Sequence, residues 1–150
     1  MIKIEEHKNL AIQNFNAIWK ILDKEKPSKE EELEAIRLAH TSTWHWYQCG
    51  QPINFQRGEW ICSRVYVHFN HLEEALFHAK LCYELTTEHN LKDFDLSYGY
   101  ECLARVYMKM KDQENFQKYF QLLQNSLSQI QNEEDRKVVA MDIASLKNPT

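Results

Sequence analysis

Seven histidines are spread through a chain of 150 residues, and their spacing decides whether they could do metal chemistry. His40 and His45 stand five apart, His68 and His71 straddle a turn, and His71 and His78 stand seven apart. No H-x3-H or H-E-x2-H pair exists, so a metal-dependent hydrolase would need His40, His68 and His78 to converge from three separate helices. Gly-rich phosphate loops and nucleophile elbows are absent as well. The acidic runs Glu30-Glu31-Glu32 and Glu133-Glu134-Asp135 suit first helical turns, where they offset the helix dipole without any acid-base role. The sequence thus implies no catalytic residue, no metal and no cofactor.

A denser constellation lies between residues 40 and 60, where three of the four tryptophans fall within 17 positions. One reading makes Trp44, Trp46 and Trp60 filler between two helical layers, their ring nitrogens bonded to carbonyls or to Glu59. The other makes an aromatic-walled pocket in which His40, Trp44, Arg57, Glu59 and Trp60 converge on a small ligand. Cys49, Cys62, Cys82 and Cys102 are too widely spaced for a zinc or disulfide framework and read as free thiols. Cys49 follows His45 by one turn, the one place where a neighbouring ring could activate a thiol.

The elements that must carry these residues are helices. Only three Gly and three Pro are present, too few for a turn-rich fold. Residues 3–24 place Ile4, Leu10, Ala11, Phe15, Ile18, Trp19 and Leu22 on one helical stripe. Pro27-Ser28 ends it, and Ser28-x2-Glu31 is a capping box opening a helix to about residue 48. Asn54 and Asn70-x2-Glu73 serve as caps for helices over 54–69 and 70–88. Further helices follow at 94–110 and 112–130, and Asn132-x2-Asp135 starts a last one over 133–146. The chain reads as a single domain, with pairs over about 3–48, 54–88 and 94–130.

These pairs repeat. Glu59-x2-Cys62-Ser63-x2-Tyr66 with Ala75-Leu76-x2-Ala79-x2-Cys82 returns 41 positions later as Tyr100-x2-Leu103-Ala104-x2-Tyr107 with Phe116-Gln117-x2-Phe120-x2-Leu123. Ala35-Ile36-x2-Ala39-x2-Ser42 repeats the second half once more. Small residues at Ser63, Ala75 and Ala79 let two helices approach to about 8–10 Å. An array of this kind builds a surface and does no chemistry of its own.

Tyr100-x2-Leu103-Ala104-x2-Tyr107 with Phe116-x3-Phe120 resembles a tetratricopeptide repeat (TPR), elongated beyond the usual 34 residues. The resemblance departs at Glu59, which stands where an aromatic belongs, at Ala79 in place of Phe, and in the missing closing Pro. It implies an all-α, TPR-like right-handed superhelix of three antiparallel helix pairs plus a C-terminal capping helix. It also implies a concave groove lined by Arg57, Trp60, Arg64 and His68 from one helix and Tyr98, Glu101, Arg105 and Lys109 from the next. That groove is basic and aromatic in a protein of net charge −4 and would suit an acidic protein or peptide.

The charges are interspersed, without the Lys/Arg run that a nucleic acid requires, and no apolar stretch spans a membrane or forms a signal core. The expectation is a cytoplasmic interaction module. Two alternatives stand beside it: a small-molecule-binding or hydrolytic protein using His40, Trp44, Arg57 and Trp60, and a self-associating structural subunit, for instance a homodimer.

Overall fold

The computed structural model describes residues 1–147. They form seven α-helices and no strand: α1 (Ile4–Leu22), α2 (Lys29–Cys49), α3 (Pro52–His68), α4 (Leu72–Glu88), α5 (Phe94–Met110), α6 (Gln113–Leu127) and α7 (Glu133–Lys147). Helix starts follow local chemistry. Ser28 Oγ accepts from Glu31 N at 3.1 Å, and Glu31 Oε1 accepts from Ser28 N at 3.0 Å, completing the capping box of α2. Asn132 Oδ1 likewise accepts from Asp135 N at the start of α7.

Two assigned caps move. Asn54 lies inside α3, which begins at Pro52, and Asn54 Oδ1 accepts from the amide of Gln51 at 2.9 Å. Proline tolerates the first helical turn, where an amide would be orphaned anyway, so the helix starts earlier than the Asn suggests. Asn70 ends α3 rather than starting α4: it takes the left-handed conformation at φ 64°, and His71 N returns to Tyr66 O at 2.8 Å. Asn90 and Lys111 end α4 and α5 the same way, at φ 50° and 62°.

Three hairpins, α1/α2, α3/α4 and α5/α6, stack in order, and α7 closes the series against α5 and α6. The middle hairpin has a hub of small residues, where the last has Phe116, Phe120 and Leu123. Ala75, Ala79 and Cys82 are fully buried, and Ser63 Oγ donates to Ala75 O at 2.9 Å, which locks α3 onto α4. Gly58 and Gly99, 41 residues apart, sit against Thr43 and Thr86, whose methyl carbons would lie 2.7 and 2.8 Å from an added Cβ. The stacking aromatics repeat too: Tyr66 lies flat on His78, and 41 positions later Tyr107 lies flat on Tyr119.

The backbones of α1 and α3, α3 and α5, and α5 and α7 touch one another, whereas among the described residues none joins α2 to α4 or α4 to α6. The odd-numbered helices therefore make the tighter layer. A ladder of residues at intervals of 41 runs along it: Trp19, Trp60, Glu101 and Asp142. Trp19 and Trp60 rings are 6.2 Å apart, and Trp60 Nε1 donates to Glu101 Oε2 at 2.7 Å. Arg105 links the last two rungs, bonding Glu101 through Nε at 2.5 Å and approaching Asp142 to 3.7 Å. The ladder gives α7 a role that its sequence hides. It occupies the place of a fourth first helix, with Tyr98 of α5 donating to Asp142 at 2.5 Å.

Candidate functional site

The tighter layer encloses an open cavity of about 460 Å³, to which α1, α3, α5 and α7 all contribute. Phe15 and Trp19 come from α1 and Trp60 from α3, all on the ladder face, while Phe94 and Tyr98 arrive from α5 and Val138 from α7. The charged members stand among these rings. Arg57 Nε donates to Asp95 Oδ1 at 3.0 Å, with its guanidinium 6.0 Å from the Phe94 ring. Arg64, two turns on along α3, is half-buried and has no hydrogen bond or ion pair among the described residues. Burial, and then the charge of Arg105, pull the Arg64 guanidinium below its ordinary pKa.

The groove residues inferred from the TPR resemblance thus divide. Arg57, Trp60, Arg64 and Tyr98 do line one cavity. His68 and Lys109 are exposed outside it, where both charges of Arg64 and Lys109 act to lower the His68 pKa after burial itself. Arg105 is not a free groove charge. Only 8% of it is exposed, and it is held between Glu101 and Asp142 because α7 covers the face that α5 would otherwise present. Within the cavity the basic bias contracts to Arg64, with Lys109 exposed outside it.

The alternative pocket is not assembled. His40 lies on the opposite side of α3 from the cavity, with Nε2 2.9 Å from the Tyr66 hydroxyl and its ring 5.2 Å from that of His78. Glu59 belongs to the same cluster: it accepts from the Tyr47 hydroxyl at 3.2 Å and pairs with His78 Nδ1 at 2.7 Å. Burial, then His78, lower the His40 pKa, and burial likewise raises those of Tyr47 and Tyr66. Trp44 is separate again, 54% exposed and packed edge-on against His7 and His45. His40 and His78 do meet, but His68 packs on Phe69 elsewhere, so the three-histidine convergence is not formed. No group of three or more metal-binding side chains occurs among the described residues.

All four cysteines are free. Burial pushes the Cys62 thiol up to about 12 and raises that of Cys82 as well. Cys49 has no activating partner in His45, whose ring is buried and lowered in pKa, while the Cys49 thiol donates to the His45 carbonyl at 3.4 Å.

The sequence reading missed Trp19, Phe15, Phe94 and Asp142. The signal for two of them was present in the period of 41, since Trp19 and Asp142 stand one repeat before Trp60 and one after Glu101. Compared with known proteins, the chain matches no family model, no curated protein and no solved structure. No helix of the described residues is long and apolar enough to cross a membrane.

Proposed function

We propose that the chain is a TPR-like helical-repeat module, wound as a right-handed superhelix, that binds a protein or peptide along its odd-numbered helices in the cytoplasm. The observation that carries this reading is the cavity of about 460 Å³ to which four successive first helices contribute, aromatic on its walls and holding Arg64, whose donors bond no acceptor among the described residues. A repeat array offers such a face because each pair contributes one helix to a continuous surface. An acidic side chain meets a guanidinium fork at Arg64, and an apolar one meets the indole of Trp60.

The test is a display library of acidic and neutral peptides panned on the wild-type protein and on Arg64→Glu with Lys109→Glu. Acidic sequences with an aromatic or branched aliphatic residue should be enriched by the wild type and lost by the double variant. Equal enrichment by both proteins, with both folded by circular dichroism, would rule the groove out. Arg105 is not varied in the test because it is buried and bonded to Glu101, so its loss is expected to disturb the fold.

A further inference from the structure

Three groups on one face of α3 give the cavity a direction. Gln56, Trp60 and Arg64 stand at i, i+4 and i+8, so their side chains line up along the helix over about 12 Å. All three line the cavity. At one end Gln56 is fully buried, and its amide nitrogen is spent on Thr86 Oγ1 at 3.1 Å and Asp95 O at 2.8 Å. Its carboxamide oxygen has no hydrogen-bond partner among the described residues, the one buried side-chain oxygen or nitrogen for which this is so. Trp60 stands in the middle, facing Tyr98 edge-on with ring centroids 5.4 Å apart. At the other end is Arg64, with five N–H donors and no acceptor bonded to them. Read along the helix, the cavity asks for a hydrogen-bond donor, then a flat apolar body, then an anion.

We infer that this cavity is a site for a free small molecule, an aryl carboxylate carrying a hydroxyl or amine at its far end. The carboxylate lies on the Arg64 guanidinium, the ring rests between Trp60 and the aromatic wall from α1 and α5, and the distal O–H or N–H donates to Gln56 Oε1. Size agrees: about 460 Å³ lies within the range of small-molecule pockets and equals the volume of about fifteen liquid waters. Hydrogen-bonding capacity agrees as well. Arg57 bonds Asp95 and Arg105 bonds Glu101, so Arg64 is the cation of the cavity wall whose N–H donors meet no acceptor among the described residues. The inference does not rest on peptide binding. Loss of peptide enrichment with retained carboxylate binding would remove the interaction-module reading alone, and the reverse result would remove this one alone.

The experiment is isothermal titration calorimetry of the whole protein with three probes: 6-hydroxy-2-naphthoate, 2-naphthoate and 6-hydroxy-2-naphthamide. The hydroxy acid should bind one per chain, at least tenfold tighter than the neutral amide and several-fold tighter than the acid lacking the hydroxyl. The ligand series needs no variant and so cannot be confounded by misfolding. Arg64→Gln should erase the preference for acid over amide, while Lys109→Gln, which removes an exposed cation outside the cavity, should keep it. An acid that binds no tighter than the amide overturns the proposal, as does a preference that survives in Arg64→Gln.

Discussion

Lys111 takes a left-handed backbone conformation at φ 62°, where the side chain of an L-residue crowds its own carbonyl. The equivalent ends of α3 and α4 use asparagine, which tolerates that region. Lys111→Gly should therefore stabilise the protein by about 1 kcal/mol in urea unfolding, since relief of the strain exceeds the entropy glycine adds to the unfolded chain. A neutral or destabilising result would mean that the Lys111 side chain contributes contacts of its own. Gly58 argues the opposite way. A Cβ there would lie 2.7 Å from Thr43 Cγ2, so Gly58→Ala should cost about 1–3 kcal/mol, and Thr43→Ser should return part of it. His40 sets a pH dependence. Its folded pKa lies below the ordinary 6.5, so as pH falls the unfolded chain takes up the proton first, and stability present above about 6.5 drains away below it. Comparing urea midpoints at about pH 7.5 and about pH 5.5, His40→Gln should lose less than the wild type, with His45 and His68 supplying the remainder. An equal loss in both proteins would exclude His40 as a contributor.

Ala79 and Arg105 test how helices are held together. Ala79 is fully buried at the α3/α4 seam, so Ala79→Leu should cost about 1–3 kcal/mol by forcing the hairpin open. A thermal melt unchanged by the substitution would break the argument from small residues. Arg105→Glu removes the cation that holds Glu101 and Asp142 and should cost about 3–5 kcal/mol, whereas Arg64→Gln, at a residue with no ion pair of its own among the described residues, should cost less. Were Arg105→Glu silent in a melt, the link between α5 and α7 would not be a stabilising one. The helices and the hairpins were legible because small residues and aromatics recur at fixed intervals, which is local information. The identity of α7 was not, because the ladder changes from Trp19 and Trp60 to Glu101 and Asp142 halfway along, and only the spacing of 41 relates the two halves. The site was half legible for the same reason. Arg57, Trp60, Arg64 and Tyr98 follow from the repeat resemblance, but the burial of Arg105 depends on α7, which the sequence presents as a capping helix. His40, Trp44 and Arg57 are close in sequence yet part ways because α2 and α3 turn their faces to different layers.

At the scale of the whole molecule, a stack of pairs is a linear chain of couplings, in which each unit stabilises only its neighbours and the ends fray first. The cavity breaks that rule. Its wall is built by Phe15 and Trp19 at one end of the stack and by Val138 and Asp142 at the other. An occupant touching both would join first unit to last and turn the line into a ring. A ring has no ends from which to unravel. Hydrogen exchange should then report slower opening of α1 and α7 when the cavity is filled, more than of α4, which contributes no residue to its wall, and the melt should sharpen as well as rise. Protection confined to α3 would show that the occupant grips one helix and leaves the stack linear. Binding at such a site would then be read as a change in cooperativity along all seven helices of the described residues rather than as a local contact.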